Sequence, residues 1–451
     1  MNEPARSLRL ATWALALITV GVLGVMLFGR YAQLGPAVVV LFGLLAVACQ
    51  RQAALKSFAF TCWVFAFVAA AMVWPQAFGQ WRGYDLKNLI VPLVQLIMFG
   101  MGTKLSAQDF LRVLVMPRPV LIGVALHFGV MPLTGYSLAR LFGFPAEIAA
   151  GVVLIGSVSS GVASNVIVYL SGGNVALAVT VTACSTLVSP LMTPFLMKTL
   201  AGRLVPIDFL AMLLEILSMV IVPVVAGLAA NRILYGPGKA FAAAKGLFVL
   251  AAGAFALAAA AGLMPVEQLG PLVSLSRGAG LGLALIGVVA LTKLIVAVWL
   301  RGPKNWMDRA LPVISMAGIC FIIAIIAARS RDRLLGVGFA LILAAILHNA
   351  IGYLLGYWLS RFVGLEETAC RTIAVEVGMQ NGGMATGLAM GVLKSADAAL
   401  APAIFGTWMN ISGSVLASWW RRRPVVPAAP TTQGRLPDAT AVATSEPTRQ
   451  E

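Results

Sequence analysis

Charge is what this chain has least of. Asp, Glu, Lys and Arg together make up 11% of its 451 residues, against 60% hydrophobic. A soluble globular domain carries about 25% charged residues, so that class is excluded. Acidic residues are scarcer still, with 16 Asp and Glu against 32 Lys and Arg. The resulting net charge of +16 does not indicate nucleic acid, because the cations are not clustered and no base-stacking aromatics lie between them. In a polytopic membrane protein, basic residues gather in short cytoplasmic loops and set topology. Cysteine chemistry is also missing. Cys49, Cys62, Cys184, Cys320 and Cys370 lie within or at the ends of apolar runs, with no Cys-x-x-Cys pair, and read as small core residues. Arg6 and Arg9 precede the first apolar run, but no Ala-x-Ala-like cleavage site follows it, so a retained first span is expected.

What the chain has is apolar runs of spanning length. Fourteen are expected, at 11–29, 35–50, 57–74, 87–102, 119–139, 146–170, 175–198, 207–233, 241–264, 278–300, 310–328, 335–360, 369–392 and 399–420. The segment 421–451 is rich in Pro, Ala, Thr and Arg without periodicity and reads as a disordered tail. With both termini cytoplasmic, the inner loops hold Arg51, Lys56, Lys104, Arg112, Arg118, Arg232, Lys239, Arg301, Lys304, Arg309 and Arg361. Arg329, Arg331 and Arg333 fall outside in this orientation, against the usual bias.

Two of the spans are interrupted. Gly156-Ser157-Val158-Ser159-Ser160-Gly161-Val162-Ala163-Ser164-Asn165 and Glu376-Val377-Gly378-Met379-Gln380-Asn381-Gly382-Gly383 are small, polar and glycine-punctuated inside apolar sequence. An acid at the bilayer centre costs roughly 3 kcal/mol or more and marks a functional site by default. Interrupted spans in both halves of a chain point to a transporter's binding site. The breaks fall in the sixth and thirteenth spans, seven crossings apart, which sets them in opposite orientation so that they meet near the midplane. The expected fold is therefore an all-α polytopic membrane protein, with an inverted repeat, two broken helices, and core and panel bundles.

At this point the sequence resembles the bile acid:sodium symporter family. The resemblance rests on Gln95-Leu96-Ile97-Met98-Phe99-Gly100-Met101-Gly102-Thr103-Lys104 with Asp109-Phe110, on Ala163-Ser164-Asn165-Val166, on Gly173-Asn174-Val175-Ala176-Leu177, and on Ser185-Thr186-Leu187 with Ser189-Pro190-Leu191. His348-Asn349, Gly352-Tyr353 and, above all, Glu376-Val377-Gly378-Met379-Gln380-Asn381 complete it. It covers about 57–234 and 307–420. It implies a first repeat at 57–200 and a second beginning at 201–235 and resuming at 307–420, with membrane additions at 1–56 and 236–306. Both additions are expected to face lipid or another subunit.

The resemblance implies symport of a small organic anion with sodium: a bile acid, a steroid sulfate or a small carboxylate such as pantoate. It assigns Ser164, Asn165, Thr182 and Glu376 to one sodium position. It assigns Glu376, Gln380 and the carbonyls of Val377 and Met379 to a second. Asn381 and Asn349 become substrate contacts, with His348 beside them. Two departures bear on the number of ions, Ala178 by removing one oxygen from the first position. Ala178 stands where a hydroxyl is common, and His127 stands where a Gln oxygen is common; an imidazole nitrogen binds sodium poorly. The chemistry agrees with the assignment, since sodium is a hard cation that takes oxygen ligands. An intramembrane hydrolase using Ser159 or Ser160 with His348 lacks a nucleophile-elbow context, and no enzyme activity is expected. Glu215 and Lys293 are left over within apolar spans, either paired across helices or each reaching an interface. The expected setting is the cytoplasmic membrane of a bacterium.

Overall fold

The computed structural model describes residues 34–52, 56–236, 243–265, 269–300, 302–303 and 306–423. The span expected at 11–29, and the tail beyond residue 423, lie outside the described residues. Every other expected span is helical. Among the described residues, eight helices are long and apolar enough to cross a bilayer, and the only sheet is a two-residue hairpin, Gln80–Trp81 with Tyr84–Asp85.

In chain order the helices are α1 (Leu34–Arg51), α2 (Lys56–Val73), α3 (Ile90–Gly102), α4 (Ala107–Val115), α5 (Pro117–Leu141), α6 (Ala146–Ser157), α7 (Ala163–Leu170) and α8 (Val175–Leu196). There follow α9 (Phe209–Tyr235), with a wide π turn at Leu217–Ile221, α10 (Ala244–Leu263), α11 (Val273–Lys293) and α12 (Trp306–Arg329). The chain closes with α13 (Arg331–Phe362), α14 (Glu367–Gly378), α15 (Gly382–Gly391) and α16 (Ala396–Arg421). The pairs α6/α7 and α14/α15 are the two broken spans. The short helix α4 is absent from the expected spans; Asp109 accepts the backbone N–H and hydroxyl of Ser106 at its start, both at 2.8 Å.

Two bundles result. The broken helices pack with α5, α8, α13 and α16, while α2, α3, α9 and α12 form a panel beside them. Helix backbones approach closely at glycines, as lipid-embedded bundles require. A Cβ at Gly102 of α3 would lie 2.2 Å from the Val224 carbonyl, and one at Gly227 of α9 would lie 2.2 Å from that of Phe99. The two helices therefore cross in direct backbone contact.

The two helices of the inserted pair α10/α11 differ: α10 is mostly exposed and packs on α11, whereas α11 is seated in the panel. α11 packs along α9 and reaches α3. A Cβ at Gly278 would lie 2.3 Å from the Ser218 hydroxyl, which itself donates to the Ser274 carbonyl at 2.5 Å. Lys293 and Glu215 do not pair. Lys293 donates to the carbonyls of Ile233 and Leu234, at 2.6 and 3.1 Å, where the end of α9 has no further turn to donate N–H groups to them. Glu215 belongs to the opposite end of α9, within electrostatic reach of Arg277. Two of the arginines that the sequence-based orientation sets against the usual bias have acidic partners. Arg329 pairs with Asp85 at 2.8 Å and Arg333 with Asp397 at 3.2 Å, so acidic partners offset part of their charge.

Candidate functional site

The two breaks cross each other as a pair of extended segments. Ser160 and Gln380 form an antiparallel bridge. The Gly161 N–H donates to the Met379 carbonyl at 3.0 Å, and the Asn381 N–H donates to Ser159 at 2.8 Å. These bonds satisfy backbone groups that a broken helix leaves exposed inside a membrane. Gly161 is required by this approach, since a Cβ there would lie 2.7 Å from the Gln380 carbonyl. Four helix ends converge: the C-termini of α6 and α14 present carbonyls, and the N-termini of α7 and α15 present N–H groups. One end favours a cation and the other an anion.

Glu376 sits at this crossing with no solvent exposure. Its carboxylate accepts three hydroxyls: Ser160 at 2.7 Å, Ser164 at 2.5 Å and Thr182 at 2.7 Å. The structure thus brings Ser164 and Thr182 to Glu376, as the sequence predicts, and adds Ser160. The serines of the first break are alike in type, and only the extended backbone decides that Ser160 turns to Glu376 while Ser159 turns to the Met384 sulfur at 3.6 Å. Ala178 is buried one turn before Thr182 on α8, so its missing hydroxyl lies on the same helix face.

Two buried amide oxygens have no hydrogen-bond partner, Asn165 Oδ1 and Gln380 Oε1. Buried acceptors are rarely left so. One lies on each broken span, beside a carboxylate ringed by hydroxyls. This donor set of one anion and several neutral oxygens fits a hard monovalent cation. The Val377 carbonyl accepts Gln380 Nε2 at 2.5 Å, and the Met379 carbonyl accepts Gly161 and, at 3.2 Å, Ser160. The Val377 carbonyl keeps a second lone pair for a ligand, whereas both acceptor positions of the Met379 carbonyl face donors, so Met379 could bind an ion only if Ser160 kept its proton on Glu376 alone.

His127 of α5 spans both breaks. Its Nδ1 lies 3.0 Å from the Glu376 carbonyl and its Nε2 lies 2.8 Å from the Val158 carbonyl. A neutral ring has one N–H and can donate to only one of the two. Asn349 of α13 donates to the Gly378 carbonyl at 2.7 Å and accepts Ser412 of α16. Asn381 caps α15 by accepting the Met384 N–H at 3.0 Å, and its amide approaches the Met98 sulfur of α3 at 3.7 Å. His348 lies further back, with Nε2 3.1 Å from the Met131 carbonyl, its ring against Phe405, and Nδ1 unpartnered. Ser160 and His348 therefore do not face one another. Arg371 escaped the sequence reading. It is buried in the first turns of α14, pairs with Glu367 at 2.8 Å and donates to the carbonyls of Ser171 and Arg423, tying the start of the second broken span to the end of the first and to the residues after the last helix.

Similarity to known proteins agrees with this arrangement. The profile of the Sodium Bile acid symporter family matches residues 91–270. The chain is 31% identical over 364 residues to the sodium-dependent transporter YocS of Bacillus subtilis, covering 81% of this chain and 91% of that protein. It is 27% identical over 366 residues to the probable sodium/metabolite cotransporter BASS1, chloroplastic, of Arabidopsis thaliana, covering 81% of this chain and 74% of that protein. Among solved structures, the sodium proton antiporter MjNhaP1 of Methanocaldococcus jannaschii shares the fold, with a TM-score of 0.51 at 15% identity, over 88% of this chain and 98% of that one. The chain is an integral membrane protein and belongs to the sodium bile acid symporter family, a family of sodium-dependent transporters.

Proposed function

We propose that this protein is a secondary active symporter that carries a small organic anion across a bacterial cytoplasmic membrane with sodium, both termini lying inside. The observation that carries this reading is the buried Glu376 at the crossing, ringed by hydroxyls, with an unpartnered buried amide oxygen on each broken span, Asn165 and Gln380. Sodium is cargo here. Glu376, Ser164, Asn165 and Thr182 would hold one ion, and Gln380 with the Val377 and Met379 carbonyls a second, beside His127. The anion belongs at the N-terminus of α15, where Asn381 caps the helix and Asn349 holds the Gly378 carbonyl. His348, behind Asn349, supports that wall. Movement of the core bundle against the panel would expose the site to each side in turn.

The test is initial uptake into membrane vesicles of labelled pantoate, pantothenate, taurocholate and simple keto acids. Each is measured under an inward sodium gradient and under an equal potassium gradient. Saturable accumulation of one of these anions above its equilibrium level, with sodium alone, is the expected result. Uptake that only equilibrates the anion would replace the symporter with a channel, and sodium-independent accumulation would remove the coupling ion.

A further inference from the structure

A second polar cavity, of about 660 Å³, opens between the panel, the inserted helix and the far end of α15. Its wall holds three cations from three separate elements: Lys87 before α3, Arg277 on α11 and Lys394 after α15. Glu215 is its one carboxylate, and Gln95 and Ser274 add hydrogen-bonding groups. Lys87 already pairs with Asp85 at 3.3 Å, which leaves Arg277 and Lys394 as the stronger sources of positive field. Glu215 offsets part of the Arg277 charge, but three cations against one carboxylate leave the lining net positive, and a cleft of net positive charge walled by apolar helices draws in anions. The volume suits a small organic ligand.

The cavity is joined to the crossing by two elements. α15 begins at the crossing, capped by Asn381, and its last residue, Gly391, lines the cavity. Its ten residues span about 15 Å. On α3, Val91 and Gln95 line the cavity, and Met98, three residues further on the same face, meets the Asn381 amide. Arg277 is held in place by the seating of α11: Gly278 lies against Ser218, Ser218 bonds to Ser274, and Lys293 anchors the other end of the helix.

We propose that this cavity is an outer capture site for a small carboxylate or sulfonate, and that the inserted helix α11 completes it by supplying Arg277. The transport role of the site rests on the organic-anion symporter reading above; the anion preference of the cavity does not.

The experiment has two arms. In intact cells, the full chain carrying Ser274→Cys is labelled with an anionic and a cationic methanethiosulfonate reagent, each rate normalised to that with a free thiol, and the unsubstituted chain supplies the background. The anionic reagent is expected to react about 10-fold faster, with Arg277→Gln lowering that preference at least about 3-fold and Arg277→Lys retaining it. In the second arm, Arg277→Gln is expected to raise the KM of the anion found by the uptake screen about 5-fold while leaving the half-saturating sodium concentration unchanged. Equal rates for the two reagents, no labelling from outside, or a preference indifferent to Arg277 would overturn the capture site. So would a biased labelling pattern with an unchanged KM. If the screen finds no sodium-driven uptake, the symporter reading falls, and the labelling arm alone decides whether the cavity takes anions.

Discussion

The two broken helices meet as equals in geometry and as opposites in chemistry. The first break offers hydroxyls and an amide and carries no charge: Ser160 and Ser164 both donate toward the other segment. The second break carries the carboxylate that accepts them, together with the amides of Gln380 and Asn381. Each alone would be a poor resident of a membrane, since one leaves donors unmet and the other leaves a buried charge. Crossed, each satisfies the other, down to the backbone pair between Ser160 and Gln380. The difference teaches that the charge and the means of holding it come from separate halves of the chain. Assembly of the site therefore depends on both halves folding together.

The largest effect expected is on the side that carries the charge. Glu376→Gln keeps the shape and removes the anion; removing one partner of a buried ion pair costs about 3–5 kcal/mol, which corresponds to a fall of over about 100-fold in sodium-stimulated uptake. Protein abundance in membranes should stay near normal. Sodium-driven uptake within a few-fold of the unsubstituted protein would show that the charge lies elsewhere.

Next comes the contact between the halves. Gly161→Ala places a methyl 2.7 Å from the Gln380 carbonyl, so the two extended segments must separate. Overpacking of this kind costs about 1–3 kcal/mol. Lower yield of folded protein and a fall in transport of about 10-fold or more are expected by detergent thermal-shift and uptake measurements. A fully stable, fully active variant would mean that the crossing opens at no cost.

The third prediction separates two serines that look identical in sequence. Ser160→Ala removes one charge-assisted hydrogen bond to Glu376, a contribution of about 1.5–3 kcal/mol, and should weaken sodium affinity about 10-fold or more. Ser159→Ala removes only a contact to the Met384 sulfur and should change it less than about 2-fold. Sodium titrations of initial uptake in the two variants provide the comparison, and equal effects would contradict the hydrogen bonding at the first break.

That pair also shows how far the sequence could be read. The spans follow from apolar runs, and the breaks follow from glycine and polar residues inside them, because both signals are local. Glu376 was legible because a carboxylate in an apolar run is costly, while Ser164 and Thr182 were joined to it only by the family resemblance. Ser160 was not distinguishable, because inside an irregular stretch no period fixes which side chain faces inward. Arg277 looked like an outer-loop charge, and nothing local says that α11 seats on α9 at Gly278. Lys293 reads as an intramembrane charge seeking an acid; two of its acceptors are carbonyls at a helix end, which carry no residue signature. Arg371 was missed for the same reason, as two of its acceptors are the carbonyls of Ser171 and Arg423.

The smallest effect is expected at the residue that touches both halves. His127 presents one ring nitrogen to the Glu376 carbonyl and the other to the Val158 carbonyl, so it braces the crossing from α5. It stands at the place where the resemblance puts an amide oxygen, and the Gln380 oxygen of the second break has no partner. A ring nitrogen is a poor sodium ligand, whereas an amide oxygen is a good one. His127→Gln keeps an N–H for one carbonyl and adds an oxygen donor next to Glu376. The half-saturating sodium concentration should fall about 3- to 10-fold, about 1 kcal/mol, and the Hill slope for sodium should rise if a second ion gains a complete set of ligands. The measurement is initial uptake against sodium concentration at one fixed pH, for the unsubstituted protein and the variant. A variant with weaker sodium affinity and lower thermal stability would identify His127 as a brace between the two breaks, with no part in ion selection. Unchanged affinity and slope would place the second sodium position away from α5 and leave Glu376 with a single ion.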